Sequence, residues 1–100
     1  MREVVSCSSM KEFKQIIRNG KNKVKILMEP GNYPLDRSMC FRIRRRQDIK
    51  VYPRVPRTVF FLCKSLDHKK LGCQGSILSL FDVKKGGNIL ISGLVFNFEK

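Results

Sequence analysis

Three segments of this chain share one form: "KVKILM" (23–28), "DIKVYP" (48–53) and "NILIS" (88–92). In the first, Val24, Ile26 and Met28 alternate with Lys25 and Leu27. Ile49 and Val51 alternate in the second, and Ile89 and Ile91 in the third. Alternation of this kind belongs to a strand with one buried face. The first two segments start 25 residues apart (23 to 48) and the third starts 40 further on (48 to 88). The excess matches a loop-like stretch at 64–75, where an insertion is cheap. A fixed period of this size is the signature of a stacked repeat, in which each unit buries its apolar face only against its neighbours.

Each such segment is followed by a turn and a second short strand: "NYPLD", "TVFFL" and "LVFNF". A third strand follows in the first two rounds, "FRIRR" and "SILSLFDV". Three strands per round, two rounds and the start of a third are therefore expected, with Ile26, Val51 and Ile91 in one inward column. One helix precedes them. In "SSMKEFKQIIRNG", Ser9 and Glu12 have the spacing of a capping box. Met10, Phe13, Ile16 and Ile17 fall on one face. Gly20 suits the residue just beyond the last turn. The chain reads as one domain over 1–100, with a helix at about 9–19 and strands over about 23–98.

The amphipathic helix, "VKILMEPGNYPLD", "IKVYP" and "GGNILISGLVFNF", in that order, resemble the pectin-lyase-like right-handed parallel β-helix proteins. The resemblance spans about residues 6–98. It implies a mainly β fold: a short right-handed parallel β-helix of about two and a half coils behind an N-terminal capping helix. It implies also that Gly93 stands at a bend between two sheets. No catalytic motif of the family carries over. The acids Glu3, Glu12, Glu29, Asp36, Asp48, Asp67, Asp82 and Glu99 form no close pair in sequence. Asp36 and Asp48 read as turn residues. A solenoid end without a cap exposes apolar surface and open strand edges. The uncharged C-terminal stretch is therefore expected to form an assembly edge through Ile89, Ile91, Leu94, Val95, Phe96 and Phe98. A second copy or a partner protein would dock there.

Charge carries the functional reading. Twenty-one Lys and Arg stand against eight Asp and Glu, a net of +13. Such a field attracts polyanions. Arg37, Arg42, Arg44, Arg45, Arg46, Lys50, Arg54 and Arg57 fall within 21 residues, opposed only by Asp48. In "FRIRR", Phe41 and Ile43 are expected inward, Arg42 and Arg44 outward, and Arg45 and Arg46 in the turn that follows. The guanidinium fork suits phosphate and carboxylate. A non-catalytic basic module that binds nucleic acid or an acidic polysaccharide is the first expectation. The alternatives are an inactive N-terminal fragment or remnant of a polysaccharide lyase or glycoside hydrolase, and a basic nucleic-acid-binding protein on an unrelated small β fold, which a closed antiparallel barrel would favour.

Other chemistry is weakly signalled. Cys63, His68 and Cys73, with Cys40, lack the tight C-x2–4-C pair of usual zinc sites, so no metal is expected. No cofactor motif is present: "KKGG" (84–87) lacks the helix and the Ser or Thr of a phosphate-binding loop and reads as a turn. The first fifteen residues lack the apolar core of a signal peptide, and the longest uncharged run is too short to span a bilayer. An intracellular protein with four reduced thiols is expected.

Overall fold

The computed structural model describes residues 2–20, 22–35, 39–63 and 81–98. Nine strands and one helix follow in the order β1 (Glu3–Cys7), α1 (Met10–Arg18), β2 (Lys23–Met28), β3 (Gly31–Leu35), β4 (Phe41–Ile43), β5 (Asp48–Pro53), β6 (Val59–Cys63), β7 (Phe81–Val83), β8 (Asn88–Ile91) and β9 (Val95–Phe98). Every described strand pair is parallel. That is not the closed antiparallel barrel that would favour a nucleic-acid-binding protein on an unrelated small β fold.

The expected short right-handed parallel β-helix needs correction. The strands form three separate parallel sheets, in the orders β1-β2-β5-β8, β3-β6-β9 and β4-β7. They do not close into one coiled wall. Backbone breaks account for the separation. Pro30 lies between β2 and β3, and Arg46, Arg57 and Gly93 adopt positive φ of 74°, 65° and 76° between successive strands. An extended ladder cannot run through such residues. The helix lies where the sequence placed it, at Met10–Arg18, but a strand that was not expected precedes it. The helix does not lead the chain but links β1 to its parallel neighbour β2, so β1-α1-β2 is a βαβ crossover.

The residue pairing within the sheets follows the alternation. Ile26 pairs with Val51 and Val51 with Ile91, and Val24, Ile49 and Ile89 form the adjacent column. Val24, Ile26, Ile49 and Val51 are buried, while Lys25 and Lys50 stand side by side on the outer face. Lys25 lies over the Tyr52 ring, 5.1 Å from its centroid. The helix buries Met10, Phe13 and Ile17, with Ile16 half-buried. Ser9 caps it by accepting the Glu12 N–H at 3.2 Å. The reciprocal arm of the box is diverted, since the Glu12 carboxylate accepts from the Ser8 hydroxyl at 2.7 Å.

Phe13, Phe41, Phe61 and Phe96 join helix and sheets. The Phe13 ring meets Phe41 and Phe61 edge-on, with centroids 5.2 and 5.9 Å away. Phe61 meets Phe96 in the same way at 5.3 Å. The Tyr33 hydroxyl, inside this core, donates to the Glu29 carbonyl at 2.6 Å and lies 3.2 Å from that of Cys7, so the buried polar group is satisfied.

Cys7 and Cys40 are both free thiols, the first buried and the second exposed. Burial pushes the Cys7 thiol up to about 11, against a smaller lowering by a backbone hydrogen bond with Ser9. Burial likewise raises Tyr33 to about 12. Both groups ionise more easily in the unfolded chain. Their contribution to stability is complete below pH 9 and is lost as pH rises toward 11–12. The melting temperature should therefore fall above about pH 9, and iodoacetamide at pH 8 should alkylate Cys40 while sparing Cys7. A rise in stability over that range, or equal labelling of the two peptides, would contradict this.

Candidate basic groove

The turn after β4 organises the site. Gln47 is buried at 2 % exposure. Its Oε1 accepts the Arg44 backbone N–H at 2.6 Å. Its Nε2 donates to the Ile17 carbonyl at 3.1 Å. The Arg44 guanidinium donates to the Arg18 carbonyl at 2.6 Å. A helix leaves its last carbonyls without intrahelical partners; here the Gly20 N–H reaches the Ile17 carbonyl at 3.3 Å, and two side chains from one turn add bonds to the Ile17 and Arg18 carbonyls. This also covers the negative end of the helix dipole.

Glycines allow the close approaches. Gly20 has φ 71°, and a Cβ there would sit 2.3 Å from Arg44 Nη2. The next turn, after β7, stacks on the first: Arg46 N–H donates to the Gly86 carbonyl at 3.1 Å, and Asn88 N–H to that of Gln47 at 2.8 Å. A Cβ on Gly87 would lie 2.6 Å from the Arg44 backbone carbonyl oxygen. No flexible side chain can yield there. Gly87→Ala should cost about 1–3 kcal/mol by overpacking. Chemical denaturation measures it, and an unchanged midpoint would show that the two turns are not in fixed contact.

Against this frame lies a groove of about 610 Å³. Lys14, Ile17 and Arg18 line it from α1, Met39 and Cys40 from the approach to β4, Phe41, Arg42 and Arg44 from β4 and its turn, and Lys84 from beyond β7. Lys14 and Arg18 are four residues apart and share a helix face. Arg42 and Arg44 flank buried Ile43 and are exposed, as the alternation of β4 requires. Five cations thus border one concavity, and no carboxylate is among its described lining residues. Asp82 lies beside it: it pairs in register with Arg42 and binds Lys84 at 3.1 Å.

The remaining basic residues are dispersed. Arg45 and Arg46 are exposed in the turn next to the groove, with Arg45 Cγ within 3.3 Å of a Cβ built on Gly86. Lys50 stands on the outer face of the four-stranded sheet. Arg54 bonds the Glu29 carboxylate and the Ser6 hydroxyl. Arg57 lies in the turn after β5. Arg37 is outside the described residues. Lys14, Arg18 and Lys84 were not expected from sequence.

Asp48 is not a turn residue. It opens β5, and its carboxylate bonds Arg2 at 2.6 Å and Asn88 at 3.1 Å. Those bonds, Arg2's first, hold it below the usual carboxylate range. Asp36 is outside the described residues, as are His68 and Cys73 and with them the C-x4-H-x4-C spacing. Among the described residues no group of three His, Cys, Asp or Glu is placed to hold a metal ion. No described helix is long and apolar enough to cross a membrane.

The expected assembly residues lie at one end of the sheets. β7, β8 and β9 each have one described neighbour strand. Ile89, Ile91, Leu94 and Phe96 are half-buried against the core, whereas the partners Ile49, Val51 and Phe61 are fully buried. Val95 is exposed. Phe98 pairs with Cys63 along the backbone.

No protein-family model matches the chain, and neither does any curated protein or solved structure.

Proposed function

We propose that the protein is a basic module that acts by binding a polyanion, nucleic acid or an acidic polysaccharide, through the groove and the adjoining Arg45–Arg46 turn. The observation that carries this reading is the gathering of Lys14, Arg18, Arg42, Arg44 and Lys84 around one concavity. Like charges held this close repel, and an anion relieves the repulsion. Tyr52 stands on the outer face of a different sheet from β4, beneath Lys25, so the supported recognition is by backbone charge rather than base stacking. The experiment is a titration of labelled duplex DNA and of heparin with the protein and with the variant R42Q/R44Q/R45Q/R46Q. Loss of about tenfold or more in affinity is expected from four fewer charge contacts. Unchanged affinity would place the ligand elsewhere, and no binding of either polymer would reject the reading.

The half-burial of Ile89, Ile91 and Phe96 supports a second reading, strand addition of another copy along β8 and β9. Association of chains carrying +13 should strengthen as salt rises, the reverse of polyanion binding. Val95→Lys should abolish it and leave the fold intact, while Phe96→Lys should unfold the chain. A monomer by sedimentation at every salt concentration would reject this reading.

A further inference from the structure

We infer that the groove between α1 and β4 is a receptor for a compact small molecule carrying several phosphates, not merely a stretch of a polymer track. The inference deepens the polyanion reading and rests on it for the sign of the ligand. Its added content is shape. A row of cations along one strand would follow an extended backbone. Here the cations come from three elements: Lys14 and Arg18 from the helix, Arg42 and Arg44 from β4 and its turn, and Lys84 from beyond β7. They border a single hollow of about 610 Å³. That lies within the range of small-molecule sites, about 300–1,000 Å³.

Three further features fit a dense anion. The helix presents its C-terminal end here, and bare carbonyls would repel phosphate. Gln47 and Arg44 occupy the Ile17 and Arg18 carbonyls and remove that obstacle. Arg44 is held in place across Gly20, so little side-chain freedom remains to be lost on binding. Arg18 and Arg42 form no ion pair with another described residue, and their planar forks can each take two phosphate oxygens. Several phosphates on one small scaffold would match cations arriving from several sides.

Inorganic tripolyphosphate is a suitable probe, titrated calorimetrically into the full chain at fixed ionic strength, with sulfate as comparator. One equivalent should bind, about tenfold or more tighter than sulfate, because several phosphates engage several forks at once. K14Q/R18Q should weaken it by about tenfold or more, whereas K25Q/K50Q, on the outer face of the four-stranded sheet, should change it by less than about threefold. Bound tripolyphosphate should also slow alkylation of Cys40, which lies in the groove, with the modified peptide followed by mass spectrometry. Equal affinity for sulfate, several weak equivalents, no effect of K14Q/R18Q, or an unprotected Cys40 would each overturn the inference. DNA or heparin binding without tripolyphosphate binding would sink this inference alone. Tripolyphosphate binding without either polymer would sink the polymer reading and leave the groove as a small-molecule site.

Discussion

Raising salt from about 50 to 200 mM should weaken binding of duplex DNA by roughly 10²–10³-fold. Lys14, Arg18, Arg42, Arg44, Arg45, Arg46 and Lys84 lie in or beside one groove, and Lys84 is shared with Asp82. If about five of them meet phosphates, the logarithm of affinity falls with a slope near −4.5 in the logarithm of salt. A fourfold change in salt then gives the stated loss. Fluorescence anisotropy across four or five salt concentrations measures the slope directly. The R42Q/R44Q/R45Q/R46Q variant should lose about 3–4 units of that slope. A slope near zero would mean that the chain meets its ligand through something other than these charges.

The largest effect on stability is expected from Phe61→Ala. Phe61 is fully buried and packs against the rings of Phe13, Tyr33 and Phe96. It thus ties the helix to the three-stranded sheet. Truncation removes a large apolar group and leaves a cavity lined by aromatic edges, at a cost of about 3–5 kcal/mol. A chain of this length has only about 5–15 kcal/mol in total. The neighbour Phe60 points the other way in β6 and is half-buried, so Phe60→Ala should cost clearly less. Urea unfolding of both variants provides the comparison. Equal losses would mean that the alternation in β6 does not set its inward face.

The inward columns were legible in the sequence because a strand alternates with period two. The shared form of the three repeated segments placed Ile26, Val51 and Ile91 together. The helix was legible for the same kind of reason, its apolar residues repeating at helical spacing. β1 was not. Its Val4 is exposed and its Val5 half-buried, so "EVVSC" carries little alternation. What makes it a strand is its pairing with β2 across the whole helix. The closure of the sheets was overestimated because repeat spacing reports stacking between rounds and says little of what joins the sheets within a round.

The groove was half legible. Arg42 and Arg44 followed from the alternation of "FRIRR". Lys14 and Arg18 looked like an ordinary solvated helix face, and nothing local says that this face borders β4. Gln47 gave no signal either. A glutamine becomes a structural residue only when folding sets a helix end beside it, as the bonds to Ile17 and Arg44 do here. Lys50, Arg54 and Arg57 show the opposite failure. They are close to Arg42 and Arg44 in sequence, yet they lie on the outer sheet face, in an ion pair with Glu29 and in a separate turn.

That dispersal permits the most direct test. Two variants of equal charge change separate a localised site from a general positive field. K14Q/R18Q/R42Q/R44Q neutralises four groove cations, and K23Q/K25Q/K50Q/R57Q neutralises four elsewhere. Their affinities for duplex DNA are compared at one ionic strength, after circular dichroism has established that both are folded. Binding localised to the groove predicts a loss of about a hundredfold or more for the first and less than about tenfold for the second. Equal losses would contradict it and reduce the interaction to net charge alone.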